Sequence, residues 1–250
     1  MPKGITVNLK SYQETIPKVL KLIKLENELK KYDKIVLKVA LNEPARSTSP
    51  DFVEPILQFC LNNKNPVAEV FIADGADGAN TLDLFDQQGY RKLSDKYSIG
   101  LIDLNEVETE TIQDNRFQRF QEIKFPKILK DSFLISLTSL NEDAETSITG
   151  SIPNMLGAFP AQHYSGFFSS KKNKIRKWPI KYSIYDIIQC KMPDLAVIDA
   201  SAKGKLIFGK PIEADKQAAS LLGKEIKEVS YLKLLDEMPE KKANETKTAG

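Results

Sequence analysis

The sequence predicts an α/β protein built on a mostly parallel, doubly wound sheet with helices on both faces, and three observations predict it. Apolar runs of strand length alternate with longer stretches of helical period. Several of the runs, Ile35-Val36-Leu37 and Leu195-Ala196-Val197-Ile198 among them, are apolar throughout, as buried strands are. The runs also end in polar clusters, most plainly where Val67-Ala68-Glu69-Val70-Phe71-Ile72-Ala73 meets Asp74-Gly75-Ala76-Asp77-Gly78-Ala79-Asn80-Thr81. Ligands of open α/β sheets sit beyond the carboxyl ends of the strands, so these clusters locate the expected site.

In chain order, residues 4–9 read as a strand and Glu14 to Lys31 as an amphipathic helix with Ile16, Val19, Leu20, Ile23 and Leu29 on one side. Lys34 to Leu41 is a buried strand. Ser49, Pro50 and Asp51 then make a helix start: a capping hydroxyl, a proline at the first helical position and an acid at the positive end of the dipole. That helix is expected to reach Asn62. After the strand at 67–73, Asn80 or Thr81 caps a helix through Phe85, and Gly89 ends it. Ile99 to Leu104 is a strand, 105–125 a polar excursion with one extra strand at most, and Phe133 to Leu137 a central strand. Tyr182 to Cys190 is helical, Leu195 to Ile198 a strand, and Glu213 to Leu222 a helix closed by Gly223. One α/β domain over 1–237 is expected, and the tail 238–250, polar and charged with no apolar payload, is expected to be disordered.

Composition narrows the function. The 250 residues are 41% hydrophobic and 28% charged, with a net charge of +2, too small to argue globally for nucleic acid. No apolar run approaches the roughly 18 residues a spanning helix needs, and the amino terminus reads as a strand rather than a secretory signal, so a cytoplasmic protein without a membrane partner is expected. The two cysteines, Cys60 and Cys190, sit alone in apolar helical patterns, and no iron–sulfur cluster is expected from this chain. A single histidine excludes the multi-histidine zinc site. No internal repeat, Walker A sequence, nucleophile elbow or dinucleotide fingerprint is present.

Three groups of residues are candidates for a site. Asn42, Glu43, Arg46 and Thr48 precede the helix start at Ser49, where free N–H groups favour an anion and Arg46 could grip a carboxylate or phosphate bidentately; an ordinary capped surface loop has the same residues. Lys38 lies within its strand, either a solvated edge residue or a buried functional amine. Asp74 and Asp77 offer hard oxygen ligands, with Mg²⁺ the candidate ion, although Asp and Gly also serve turns regardless of function. Asp103 and Asp199 end their own strands and are expected to point at the same crevice. His163, the one side chain with an ordinary pKa near neutrality, begins a stretch that continues through Tyr164, Phe167, Phe168, Lys171, Lys172, Lys174, Arg176, Lys177, Trp178 and Lys181. No acid interrupts it between Glu145 and Asp186. Cations interleaved with aromatics grip phosphates and stack bases, and they equally form a lid or a solvated loop.

Taken together, Ile35-Val36-Leu37-Lys38, Thr48-Ser49-Pro50, Ala73-Asp74-Gly75 with Thr81 and Gly89-Tyr90, and Leu101-Ile102-Asp103-Leu104-Asn105 resemble the family called domain of unknown function 362. Thr149-Gly150-Ser151-Ile152-Pro153-Asn154-Met155-Leu156-Gly157 is similar to its threonine-glycine to asparagine-x-x-glycine segment, and residues 193–199 and 214–223 are similar to its last two blocks. The likeness covers most of 34–236 and implies no more than an uncharacterised α/β protein; Gly75, Thr81 and Asn154 within the matching segments are ligand-binding candidates. Many members carry ferredoxin-type cysteine motifs that are absent here. Two further departures stand out: Pro153 replaces a common lysine, and Thr138 to Glu142 replaces a lysine-x-threonine-histidine type segment. Asn42, Arg46, Thr48 and Pro50 also loosely resemble the amino-terminal part of nickel-pincer lactate racemases, a resemblance that implies a lysine and several histidines this chain does not show.

The expectation is a small anionic metabolite or cofactor bound at the strand ends, with Lys38, Arg46, Thr48 and Ser49 on the anion side and Asp74, Asp103 and Asp199 opposite. The alternatives are a module that binds RNA or another acidic partner through 163–181, and a catalytically degenerate scaffold. A homodimer, the commonest oligomer, is the expected assembly.

Overall fold

The alternation of strands and helices resolves into one seven-stranded sheet. A computed structural model describes residues 3–41 and 47–238. The chain runs through β1 (Gly4–Asn8), α1 (Tyr12–Leu22), α2 (Leu25–Leu29), β2 (Lys34–Lys38), α3 (Pro50–Asn63), β3 (Glu69–Asp74), α4 (Thr81–Gln87), α5 (Tyr90–Tyr97) and β4 (Gly100–Asp103). A separate hairpin of β5 (Thr109–Ile112) and β6 (Ile123–Pro126) precedes α6 (Lys127–Lys130) and β7 (Phe133–Ser139). A two-residue ladder, β8 (Glu142–Asp143) with β9 (Ser147–Ile148), is followed by α7 (Ala161–Tyr164), α8 (Ile180–Cys190), β10 (Leu195–Ala200), β11 (Lys205–Gly209), α9 (Pro211–Leu221) and α10 (Ser230–Glu237).

The sheet order is β1-β11-β10-β7-β2-β3-β4. The strands from β10 to β4 are parallel, and β11 runs antiparallel to both β10 and β1. From β2 the order advances through β3 to β4 on one side, while β7 and β10 lie on the other. The gap between β2 and β7 is therefore a topological switch point, where an open sheet leaves a crevice at its carboxyl edge.

Period-two alternation divides the core. Ile35 and Leu37 face one cluster with Ile16, Leu20, Phe52 and Ile56 of α1 and α3, and Val36 faces the other with Ile184, Ile187 and Ala218 of α8 and α9. All of these side chains are fully buried, and each contributes on the order of 1.5–3 kcal/mol if it is a Val, Leu, Ile or Phe.

Several elements differ from expectation. The helix foreseen over 14–31 is two helices, broken where Lys24 takes a left-handed conformation (φ 56°) and lets Leu25 and Leu29 turn into the core. The excursion over 105–125 contributes two strands instead of one. Seven elements had no counterpart in the expectation: α5, α6, β8, β9, α7, β11 and α10. Asn42 and Arg46 lie outside the described residues, as does the tail from Pro239 onward.

Candidate functional site

The β2–β7 ladder ends at the pair Lys38↔Ser136. Beyond it the strands diverge, and the Asn154 side chain fills the split. Its amide nitrogen donates to Lys38 O (3.1 Å), Ser136 Oγ (3.0 Å) and Leu137 O (3.3 Å). Thr48 closes the same split from the other side. Its hydroxyl donates to Leu137 O (3.0 Å) and accepts from Ala40 N (3.0 Å), and its carbonyl accepts from the buried Tyr90 hydroxyl (2.6 Å).

Lys38 is fully buried, and its ammonium has three acceptors: Asp74 Oδ1 at 2.6 Å, Asn154 Oδ1 at 3.1 Å and Val39 O at 3.3 Å. The second Asp74 oxygen accepts from Leu41 N at 2.7 Å. The pair is thus saturated, as a buried ion pair has to be. Gly157 packs on top of it. A Cβ there would collide with Asp74 Oδ1 and come within 2.6 Å of Lys38 Nζ, so the pair leaves room only for glycine. Gly75 is constrained in the same way by the Gly157 carbonyl.

Directly over this pair lies a cavity of about 160 Å³, whose wall includes Ala40, Gly75, Thr138, Pro153, Asn154 and Gly157, the acids Asp74, Asp77, Asp143 and Glu145, and the cations Lys172 and Arg176. Lys172 is 1% exposed. Its ammonium donates to two neutral carbonyls, Gly75 O at 2.7 Å and Gly157 O at 3.3 Å. Among the described residues no carboxylate lies within salt-bridge distance of it. Burial pushes its pKa down to about 8, and Lys38 pushes in the same direction against the opposing pull of Asp74.

The sequence-predicted residues therefore divide. Lys38, Asp74, Gly75 and Asn154 come together at the switch point. Thr48 braces the split, Ser49 caps α3 (Asp51 N to its Oγ, 3.3 Å), and Thr81 holds the loop after β3 by accepting from Ala76 N and Asn105 Nδ2 (3.2 and 3.1 Å). Asp103 and Asp199 do not face the crevice. Asp103 accepts from Asn105 N (2.8 Å) and borders a second cavity of about 700 Å³ beyond the 75–81 loop, while Asp199 binds the Tyr12 hydroxyl (2.8 Å) and Ser201 N (2.9 Å). Asp74 and Asp77 both line the cavity, but each is engaged by the protein, Asp74 by Lys38 and Leu41 N and Asp77 by Lys172 N and Arg176, the last two at 2.6 Å.

The 163–181 stretch is likewise split. Lys172 points inward, and Arg176 is tied to Asp77 and to Glu145 (2.8 Å). Lys171, Lys174, Lys177 and Trp178 are exposed, as are Phe167 and Phe168 at 94% and 96%. His163 lies off the crevice, and burial together with Lys124 and Lys174 lowers its pKa. No imidazole lines the cavity, and among the described residues no group of three histidines, cysteines or acids could hold a metal, so these donors do not fit a histidine-held nickel cofactor. Sequence reading missed Asn105 and Ser136 and misplaced Lys172. Asn105 clamps the 76–81 loop to Ala161 N (2.9 Å), and its sequence signals are its place just after β4 and its membership of the Leu101–Asn105 block that resembles the family.

Residues 35–220 match the profile of a family described as domain of unknown function (DUF362), and the chain belongs to that family. No curated protein matches it. Among solved structures it is similar to the lactate racemase apoprotein from Thermoanaerobacterium thermosaccharolyticum, with a TM-score of 0.60 and 13% sequence identity over 92% of this chain. The chain spans 59% of that protein's length, and the likeness is one of fold.

Proposed function

We propose that this member of the domain-of-unknown-function family binds a small anionic metabolite, most simply a carboxylate, in the crevice over β2, β3 and β7. The observation that carries the reading is Lys172: an ammonium has three N–H groups, the protein supplies two neutral acceptors, and the third position belongs to a group lining the cavity. Asp74, Asp77 and Asp103 favour the charge from a distance, but no carboxylate among the described residues touches it; a buried cation without a bonded counter-charge is costly, and a bound anion reduces that cost. Lys38, saturated by Asp74 and Asn154, supports the wall instead of contacting the ligand. Pro153 and Thr138, at the two departures from the family pattern, both line the cavity, and among the described residues Lys172 is the more buried of the two cations that line it.

Size favours a small acid over a nucleotide. A cavity of roughly 150 Å³ takes a molecule the size of benzene, and this one measures about 160 Å³. The structurally similar protein is named for lactate, an acid of that size.

A thermal-shift screen with lactate, pyruvate, inorganic phosphate and a nucleotide tests the reading. A small carboxylate should raise the melting temperature of the wild-type protein and leave Lys172→Gln unmoved, since a ligand at about 100 times its Kd adds about 2.7 kcal/mol. Absence of any shift in the wild type, or an equal shift in both, would overturn it.

The outward side chains support a second reading, an acidic partner such as RNA held by Lys171, Lys174, Lys177 and Trp178. It requires affinity that falls steeply with salt and is lost when the three lysines become glutamine.

A further inference from the structure

We infer that Lys172 is a covalent site, whose amine condenses with the carbonyl group of a small oxo acid to form an imine inside the crevice. This rests on the anion-binding reading and names the ligand class more narrowly: an acid carrying an aldehyde or ketone next to its carboxylate.

Counting hydrogen-bond partners separates Lys172 from the other buried lysine. Lys38 has three acceptors for three ammonium hydrogens, one of them a carboxylate. Lys172 has two, both carbonyl oxygens. Once the ammonium gives up its third proton, which has no acceptor among the described residues, the same two acceptors match the two N–H bonds of the neutral amine, and its lone pair is left directed at the cavity. Desolvation and the neighbouring Lys38 charge favour the same neutral form, against Asp74, Asp77 and Asp103, which favour the cation. A lysine desolvated beside another cationic group is a recognised way of making an amine nucleophilic near neutral pH.

Position supplies the remaining requirements. The amine borders the cavity, the Gly75 and Gly157 carbonyls fix it from a rigid wall, and the cavity has the size of a short oxo acid. The nitrogen lone pair attacks the carbonyl carbon. Two protons from the nitrogen go to the carbonyl oxygen, which leaves as water, and a C=N bond replaces the C=O bond with no change in oxidation state. When protonated, the imine keeps a positive charge at the place where the ammonium stood, so it still faces the ligand carboxylate.

The test is reductive trapping of the full chain with pyruvate or glyoxylate and cyanoborohydride near pH 7.5, followed by peptide mapping. The reductant delivers hydride to the imine carbon and fixes the adduct as a secondary amine. Because a pKa of about 8 leaves far more free amine than that of an exposed lysine, labelling of Lys172 should exceed that of exposed Lys171 by roughly tenfold or more. It should vanish in Lys172→Arg, which keeps the charge. Should that variant fail to fold, the wild-type map alone decides, because labelling spread over exposed lysines with Lys172 unmodified overturns the inference. Lactate, which has no reactive carbonyl, separates the two readings: stabilisation by lactate and pyruvate without an adduct sinks the imine and leaves anion binding, and neither stabilisation nor adduct sinks both.

Discussion

Lys38 and Lys172 are both buried, yet their surroundings differ in the one respect that matters for an ammonium. Lys38 emerges from a central strand and meets a carboxylate, an amide oxygen and a carbonyl; Lys172 enters from a surface loop and meets two carbonyls. A saturated buried pair holds a structure together, whereas a buried amine with an open position on a cavity is available to a ligand. In the proposed reading, Lys38 belongs to the wall of the crevice and Lys172 meets the ligand.

The largest expected effect comes from breaking the saturated pair. Lys38→Met leaves Asp74 buried without its partner and should cost about 3–5 kcal/mol in urea unfolding, while Lys38→Met with Asp74→Leu should recover part of that loss. If the single variant costs no more than the double, the pair does not act as described.

Asp215 sharpens the comparison from the acid side. It is fully buried, and its carboxyl accepts only from neutral donors: Ser151 N (2.7 Å), Ile152 N (3.0 Å) and the Tyr231 hydroxyl (2.9 Å). Burial raises its pKa from 3.8 to about 7. The folded state thus holds the proton more tightly than the unfolded chain does. The associated stability is full below pH 3.8 and is lost as pH rises to about 7. The shift of about 3 pH units is worth on the order of 4 kcal/mol, and Asp215→Asn should abolish this slope in unfolding measured across that range.

Lys172 should behave in the opposite sense. Its folded pKa lies below its ordinary value, so the native state carries the cost of the buried charge below about pH 8 and sheds it as pH rises to 10.5. Its contribution to stability should therefore increase by on the order of 3 kcal/mol over that interval, and Lys172→Met should lack the increase. The smallest effect belongs to Lys171, the exposed neighbour: Lys171→Gln should stay within about 0.5 kcal/mol of wild type at every pH.

Local pattern made the central sheet legible. β2, β3, β7 and β10 each carry a continuous buried run, and the Ser49-Pro50-Asp51 start of α3 shows chemically in three residues. Where the signal is thin, the reading fell short. In α5 only Tyr90 and Leu93 are buried, and β11 is a short run of five residues that pairs with β10 just before it and with β1 about 200 residues away in sequence. The site was legible as an edge of the sheet and not as a constellation. Lys38 meets Asp74 36 residues on and Asn154 116 residues on, and no local pattern carries such pairings. Lys172 looked like one more cation of a basic run, and its inward turn depends on the carbonyls of Gly75 and Gly157, which only the folded backbone brings together.

The measurement that meets the central claim most directly is an NMR titration of the lysine Nζ and Cε signals in isotopically labelled protein, with and without pyruvate or lactate. One lysine, removed by Lys172→Arg, should titrate at about pH 8, and the anion should move that midpoint upward or, with pyruvate, replace the signal by that of an imine. A Lys172 midpoint in the ordinary range of exposed lysines, unmoved by either acid, would contradict the account.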